Sequence, residues 1–529
     1  MGGGVYKGKP ERFFNCYSDI EIPGGVSCTV GAFPFVEPGD YHLNIGSACI
    51  DTGVDRAGYA ATSVTDLDGA VRNVAPQVDL GCYESQKNEL TCGFDWSAES
   101  YFSPADVTLT ANVVGASGDV ACDWTLHNAQ TGEDVTVSGL TPSATGLAAG
   151  LYTVTLTAVA GGATASYTVE SAFRVGPKEI FAVTGNAAAA FPYDSREKGT
   201  SDLAETLEAA IDGSIIHVAP GEYSVTNQLI LKKAVSIVAD ESDPRRTLIG
   251  RVDGTTRIIQ LNNPSALVAG FTLHDGMVSG AGGIAYINAY GGTISNCVMR
   301  GGRTLTDDGS TAGAIQMLAG LVVHCTIDDC IAVTVSDTKE NARVVVMSGG
   351  RMSNCLIKNC KSTQAGQIVS IGSSCVLENC TIVDCVLPAG SKSATISSGT
   401  ARNCAIFVTD PDGNPLAFSG TDSWSNFWPT HFVNCVTARE ICEYTTGNGG
   451  KGWYYGKDCV TNATEVECFR APAAADYRVK KLGPLVDAGT NGVGLMLETD
   501  LGGHPRVRNE IIDVGCYEDF PTAFGLFLR

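Results

Sequence analysis

The sequence is poor in charge and in the residues that build long helices. Only 17% of its 529 residues are Asp, Glu, Lys or Arg, and aromatic residues make up 8%. Amphipathic helices with charged outer faces therefore do not carry the fold. No run of about 18 apolar residues occurs, so no membrane-crossing helix is expected. Basic residues are the scarcer sign, 35 against 57 acidic, for a formal net charge of -22. Like charge repels, which disfavours nucleic acid and anionic membrane surfaces as partners. Polyuronic or sulfated glycans are disfavoured too, unless a local basic strip or bound calcium reverses the field. The 20 cysteines include no pair of CxxC motifs, so no zinc site is expected. The stretch after Met1, GGGVYKGKPERFF, lacks the apolar segment of a signal peptide.

Glycine, at 62 residues, and repetition are what the chain has in abundance. One pattern recurs from Gly282 to Cys435: GGIAYINAYGGTISNCVM, AGAIQMLAGLVVHCTI, ARVVVMSGGRMSNCLI, GQIVSIGSSCVLENCTI and SATISSGTARNCAIF. Each copy ends in a polar residue followed by Cys. The polar residues are Asn296, His324, Asn354, Asn379, Asn403 and, in a weaker copy, Asn434. The cysteines are Cys297, Cys325, Cys355, Cys380, Cys404 and Cys435, spaced 28, 30, 25, 24 and 31 residues apart. Such a period means stacked units, because one unit cannot bury its apolar face alone. Apolar residues alternate within each copy, as in Ile284 with Tyr286 and Ile315 with Met317, and no helical period lasts three turns. Each unit fits three short strands and three turns, the coil of a parallel β-helix.

In that geometry equivalent residues stack at about 4.8 Å. An inward Asn ladder bonding the turn backbone is expected, with the cysteines inward as small hydrophobes. Cys325 with Cys330, Cys355 with Cys360, and Cys380 with Cys385 predict a second cysteine column around the next corner. Spacing alone assigns no disulfide there. Outside the ladder, Cys92 and Cys122 are the disulfide candidate.

Both ends carry one pattern. DLDGAVRNVAPQVDLGCYE from Asp66 matches DLGGHPRVRNEIIDVGCYE from Asp500, and GDYHLNIGSACIDTG from Gly39 matches ADYRVKKLGPLVDAG from Ala475. Upstream, Cys16 aligns with Cys435 and Cys28 with Cys468. Residues 1–87 are read as the last coil and C-terminal cap of an upstream β-helix, the chain being part of a longer protein. Asp51, Asp66 and Asp79 match Asp487, Asp500 and Asp513; Asp-rich turns suit calcium, but no complete calcium-loop pattern is present. No metal or cofactor is expected. Residues 88–176 read as a β-sandwich, from strands such as Val107 to Ala111 and Tyr152 to Ala158 between glycine turns. Residues 177–519 read as a complete β-helix. It opens on a helix at DLAETLEAAIDG, with Asp202 and Glu205 spaced as a capping box and Leu203, Leu207, Ala210 and Ile211 on one face. Residues 520–529 are a tail too short for a sorting signal.

The repeats resemble the right-handed parallel β-helix proteins of the pectin-lyase-like superfamily, and AGAI and GGI echo the repeats of bacterial surface adhesins. VAPGEY after the helix is similar to that superfamily's N-terminal cap. SPADVTLTA, Cys-Asp-Trp and GLYTVTLTA resemble the polycystic-kidney-disease-type immunoglobulin-like module, with Trp124 as its core residue; HNAQTGED replaces that family's aspartate-glycine pair. The resemblance implies an all-β, secreted or surface protein that acts on or binds polysaccharide through outward residues of one sheet. Lyases of the superfamily use an Arg or Lys base, often with calcium, and its hydrolases use clustered Asp.

The matching catalytic elements are absent. Asp307 and Asp308 lie in a turn, and of Asp328 and Asp329 only one can face outward. Arg300, Arg303, Arg343, Arg351, Lys358 and Lys361 are the basic candidates, with Arg300 and Lys358 forming a weak strip two coils apart. His274 and His324 read as structural. The expectation is an adhesive, glycan-binding or structural scaffold without a catalytic site. The alternative is a polysaccharide lyase or hydrolase with its site on an outer face of residues 177–519, which a cluster of three or more charged residues on adjacent coils would favour.

Overall fold

Each repeat turns a corner at its polar residue. Asn296, His324, Asn354, Asn379, Asn403 and Asn434 all adopt left-handed backbone, with φ between 49° and 53°. Asn tolerates that region better than most residues with a side chain. In the coil before Asn296 the slot is taken by Gly270, at φ 90°, and in the coil after Asn434 by Asp458, at φ 53°. The following Cys then points into the coil.

The structure, a computed structural model, describes residues 16–18, 27–31, 34–37, 40–43, 47–50, 52–53, 65–70, 78–84, 90–115, 119–280, 282–306, 311–334, 342–363, 366–388, 399–416, 430–439, 441, 444–445, 451–452, 454–491, 497–508 and 510–520. Among them no helix is long and apolar enough to cross a membrane. The chain divides into two units, Met1–Gly176 and Pro177–Arg529.

The second unit is a parallel β-helix of three sheets. The first sheet runs from Glu179–Ala182 through Thr293–Ser295, Leu321–Val323, Arg351–Ser353, Val376–Glu378 and Thr400–Arg402 to Tyr454–Lys457. The second contains Gly221–Val225, Thr247–Arg251, Thr272–His274, Val298–Arg300, Thr326–Asp328, Leu356–Lys358 and Thr381–Val386 in successive coils. The third stacks Leu229–Leu231, Ile259–Leu261, Ala285–Ile287, Thr311–Met317, Ala342–Met347 and Gly366–Ile371. Ile, Leu, Val, Met and Cys from all three fill one continuous core. Helix Leu203–Ala209 sits at the first coil, where Leu203 and Ala209 are buried. Asp202 caps it, accepting from the Ala204 and Glu205 N–H groups at 2.8 and 3.4 Å. The Glu205 carboxylate accepts from Tyr193 and Thr200 hydroxyls, so the expected reciprocal box is half formed.

The cysteines take the inward positions expected of them. Cys297, Cys325, Cys355, Cys380, Cys404 and Cys435 are buried, and their thiols lie 3.1 to 3.5 Å from the carbonyl two residues earlier. Cys330, Cys360 and Cys385 form the second column, beside left-handed Asp329, Asn359 and Asp384. All are free thiols, and burial pushes Cys380, Cys404 and Cys435 well above the ordinary thiol range.

The polar ladder differs from expectation, because its side chains reach out of the coil stack. Asn296 Nδ2 donates to Ser242 O (3.0 Å), and His324 Nε2 lies 2.9 Å from Thr499 O. Asn354 Nδ2 donates to Thr499 O (2.7 Å) and Asn434 Nδ2 to Ala488 O (3.5 Å). Asn403 Nδ2 bonds Asn379 Oδ1 (3.0 Å) and Thr490 O (3.2 Å), while its Oδ1 accepts the Thr490 N–H (2.9 Å). The C-terminal segment is thus hung on the outside of the ladder. Since the neighbouring Cys occupies the inward position, the left-handed residue faces the other way.

The C-terminal cap continues onto the outer face of the second sheet. Phe469, Tyr477, Val479, Leu485, Val514 and Cys516 pack against Leu356, Val383, Ala405, Phe407 and Val436. Its polar interior is tightly bonded: Asp500 accepts the His504 and Glu518 N–H groups, both at 2.8 Å. Asp513 accepts the Asp487 N–H (2.7 Å), and Glu518 accepts that of Asp513 (3.1 Å).

Residues 16–84 repeat this bonding. Asp66 accepts from Ala70 and Glu84 N–H groups, Glu84 accepts from Asp79, and Leu67 N–H bonds Cys82 O as Leu501 bonds Cys516 O. Thr29 N–H donates to Cys16 O as Val460 N–H donates to Cys435 O, both 2.8 to 2.9 Å. Cys28 therefore matches Cys459, not Cys468. Asp51 lies outside the described residues. Asp66, Asp500 and Asp513 turn their carboxylates to backbone N–H groups of their own caps.

Residues 90–175 form a two-sheet sandwich. One sheet has Ala163–Val175, Gly150–Ala160, Val120–Asn128 and Asp134–Ser138; the other has Thr91–Ser97, Ala105–Val114 and Ser143–Leu147. Trp124 is buried between them, its indole N–H donating to Gly139 O at 2.9 Å. Cys92 and Cys122, expected as a bridge, are two free thiols buried in this core.

Two predictions follow from the ladder and the cap. Asn403→Gly keeps the left-handed corner but removes the side-chain bonds. It is expected to cost about 1 to 3 kcal/mol in chemical denaturation, and an unchanged midpoint contradicts the outward ladder. In the cap, burial pushes Glu518 up to about 8, the Asp513 and Asp500 carboxylates adding to the rise and the buried Arg506 guanidinium, 3.2 Å away, opposing it. A raised carboxyl contributes stability below its unfolded value, here 4.5, and loses it as pH rises through about 8. Thermal unfolding from about pH 5 to about pH 9 should show that fall, and Glu518→Gln should flatten it.

Candidate functional site

With the inner positions filled by hydrocarbon and sulfur, chemistry is left to the outward ones. On the second sheet, Gly250, His274, Arg300, Asp328, Lys358 and Val383 are in direct register. Arg300 and Lys358 do align, but Asp328 stands between them and neutralises the strip. Asp328 Oδ2 is 3.4 Å from Lys358 Nζ, each side chain being 20% exposed, and its Oδ1 accepts from Asn359 Nδ2 at 2.7 Å. His274 Nδ1 lies 2.9 Å from Asp275 Oδ2, and its Nε2 3.9 Å from Glu222 Oε1. Asp329 forms the left-handed corner, leaving Asp328 as the outward member of the pair.

The rest of the basic candidates are dispersed. Arg303 and Lys361 are two coils apart with Ile331 between them. Arg343 is on the third sheet, where burial holds its guanidinium below the usual range. Arg351 is on the first sheet, 3.4 Å from the buried Glu378, which also lies 3.7 Å from Arg402. His324 holds a ladder corner, which accounts for it structurally. Asp307 and Asp308 lie outside the described residues.

Beyond Lys358 the cap covers the second sheet, and at the seam two more carboxyls meet the column. Glu465 opens the short helix Glu465–Cys468, and burial, aided by the Asp384 carboxylate, pushes it up to about 7. Asp384 is itself raised by burial, with Lys358 acting in the opposite direction. Lys358, Asp384 and Glu465 place an ammonium, a carboxylate and a readily protonated carboxyl around one edge. Such a set can move a proton.

The third sheet carries a different face. Ile230, Gln260, Tyr286, Gln316, Val346 and Ser370 follow in register along its outside. The Arg257 guanidinium lies over the Tyr286 ring, 5.0 Å from its centroid. Its Nη1 donates to Gln228 Oε1 (2.8 Å) and Gln260 Oε1 (3.3 Å), and its Nε to Gly282 O (2.8 Å). Gln260 Nε2 donates to Asn262 Oδ1 at 2.9 Å. Gln316 Oε1 is buried without a hydrogen-bond partner. The arrangement offers one aromatic ring between two amides, in a row held by Arg257. Sequence reasoning missed this row, although the signal was present: in IQL, AYI and IQM a polar or aromatic residue sits at the same offset between two apolar ones.

No family model matches the chain, and no curated protein sequence does. Solved structures similar to it include the pectate lyase Pel9A, at 12% identity and TM-score 0.37, covering 64% of this chain and 96% of that one. The pectin methylesterase PemA from Erwinia chrysanthemi is 10% identical with TM-score 0.28, covering 55% and 91%. A PL6 family alginate lyase is 11% identical with TM-score 0.21, covering 54% and 47%.

Proposed function

We propose that this protein binds a linear, uncharged glycan along the outside of the third sheet, and that it acts as an adhesive or scaffolding protein outside the cell or at its surface. The observation that carries this reading is the row Gln260, Tyr286 and Gln316, one coil apart and ordered by Arg257. An aromatic ring covers the C–H face of a sugar, and the amide N–H groups of Gln260 and Gln316 not already bonded within the protein can donate to its hydroxyls. A coil spacing of about 4.8 Å repeats these groups along one line. The net charge of -22 argues for an uncharged chain over a polyanion. The sandwich of residues 90–175, whose core is built around Trp124, serves in this reading as a spacer of the polycystic-kidney-disease type. Tyr286→Ala should weaken binding of the best glycan on an array by about tenfold or more, in line with about 1.4 kcal/mol or more lost. Unchanged retention would overturn the reading, since Tyr286 is its central contact.

A second reading, glycan cleavage on the outside of the second sheet, is favoured by two observations, the outward column His274, Arg300, Asp328 and Lys358 on adjacent coils and the carboxyls at the seam beside it. Glu465, held up to about 7 beside Asp384 and Lys358, has the character of a general acid. Incubation of the full chain with pectin, alginate, chondroitin and neutral plant glycans, followed by reducing ends and unsaturated-product absorbance, tests it. Turnover abolished by Glu465→Gln would make the protein an enzyme. A flat result on every substrate would leave binding alone.

A further inference from the structure

The inward cysteines form one continuous column. Cys297, Cys325, Cys355, Cys380, Cys404, Cys435 and Cys459 each stand one place before a residue paired with its equivalent in the neighbouring coil, so their thiols stack in register. Phe271 closes the column at its first end. At the other end, after the Asp458 corner, lies Cys459, which is partly exposed while the other six are buried. The Cys435 and Cys459 thiols are hydrogen-bonded neighbours, and the Cys435 N–H donates to Cys459 Sγ at 3.3 Å.

Geometry separates this pair from the rest of the column. Stacked coils hold equivalent atoms about 4.8 Å apart, which suits the Cα atoms of a disulfide, but its Cβ atoms must come about 1 Å closer than that. An interior pair closes the gap only by pulling on coils to both sides. Tyr454–Lys457, the strand that leads into Cys459, is the last of the first sheet among the described residues, so no further strand of that sheet resists the movement. Val460 N–H donates to Cys435 O and Thr437 N–H to Val460 O, both at 2.9 Å, and these bonds keep the two thiols facing as they approach. The Cys435 thiol and burial together raise the Cys459 thiol, so the reduced pair has no stabilised thiolate to lose on bridging. The N-terminal copy keeps the same pair: Tyr17 is in register with Thr29, which sets Cys16 beside Cys28.

We propose that Cys435 and Cys459 are an oxidisable pair that closes to a disulfide by exchange with a low-molecular-weight disulfide. Cys459 displaces one half of the oxidant and forms a mixed disulfide, from which Cys435 displaces the other half. Two protein S–H bonds break and one S–S bond forms, while the oxidant leaves as two thiols that carry both protons and both electrons. The bridge locks the last coil just before the helix Glu465–Cys468 and does not rest on either glycan reading.

Incubation of the reduced full chain with oxidised glutathione, followed by acid quench, alkylation and non-reducing peptide mass spectrometry, tests the proposal. The expected product links the Cys435 and Cys459 peptides, leaves Cys297, Cys325, Cys355, Cys380 and Cys404 alkylated, and melts at a higher temperature than the reduced chain. Cys435→Ser should stop at the mixed disulfide of Cys459 with glutathione. Cys459→Ser should show neither the bridge nor the gain in melting temperature; it alters only a partly exposed side chain, so the test stands even where Cys435→Ser fails to fold. A Cys459 that remains a thiol, ends as a mixed disulfide in the unsubstituted chain, or bridges to another cysteine such as Cys442 overturns the proposal. Interior cysteines that bridge as fast as Cys435 and Cys459 overturn it as well, because the open end would then confer nothing.

Discussion

One backbone constraint organises most of the second unit: from Gly270 to Asp458, each coil passes from the first sheet to the second through a single left-handed residue. Most side chains are strained in that region, and Asn, Asp, His and Gly are the residues found there. Once the corner is fixed, the next residue points inward, and Cys297, Cys325, Cys355, Cys380, Cys404 and Cys435 fill that position, with Phe271 in the coil before them. The thiols stack because the corners stack. The corner side chains, on the outside, become a column of amides on which Ala488, Thr490 and Thr499 are hung. The repeat is thus a solution to a turn, and Asn354, Asn403 and Asn434 find their polar partners in the chain's own C-terminal segment.

The same constraint decides where chemistry can be. Inward positions are spent on the core, and the cap covers the later coils of the second sheet. Function is left to the outward columns of the earlier coils and to the third sheet. On the second sheet the charges of Arg300, Asp328 and Lys358 alternate and largely cancel, which makes them a poor electrostatic attractor. Carboxyls raised by burial meet at the seam, at Asp384 and Glu465, and again inside the cap, at Asp513 and Glu518. On the third sheet no charge alternation intervenes, and the aromatic and amide row is ordered mainly by Arg257. Each face therefore suits a different kind of contact.

Much of this was legible from sequence, and the failures are instructive. The alternation inside each copy and the spacing of the cysteines gave the parallel β-helix, the inward thiols and the second cysteine column. The duplicated DLDG and DLGG segments share, among the described residues, the carboxylates that bond their interiors. The direction of the Asn ladder was misjudged: a polar residue in a repeat suggests an internal bond, whereas the left-handed turn that sends it outward leaves no trace in periodicity. Cys28 was aligned by distance from the cap instead of by its corner, which placed it against Cys468 when its hydrogen-bond twin is Cys459. Arg300 and Lys358 suggested a basic strip because the coil between them was not read for its own outward residue, Asp328. Glu465 and Asp384 are 81 residues apart in sequence and meet only when the cap folds back, so no local pattern could join them.

A crystal structure of the full chain soaked with the oligosaccharide it retains best tests the central claim most directly. The account predicts sugar density lying along the third sheet, one ring over Tyr286 and its hydroxyls within hydrogen-bond reach of Gln260 and Gln316. Sugar seated instead at the seam of Lys358, Asp384 and Glu465 would contradict it and give the protein a catalytic face.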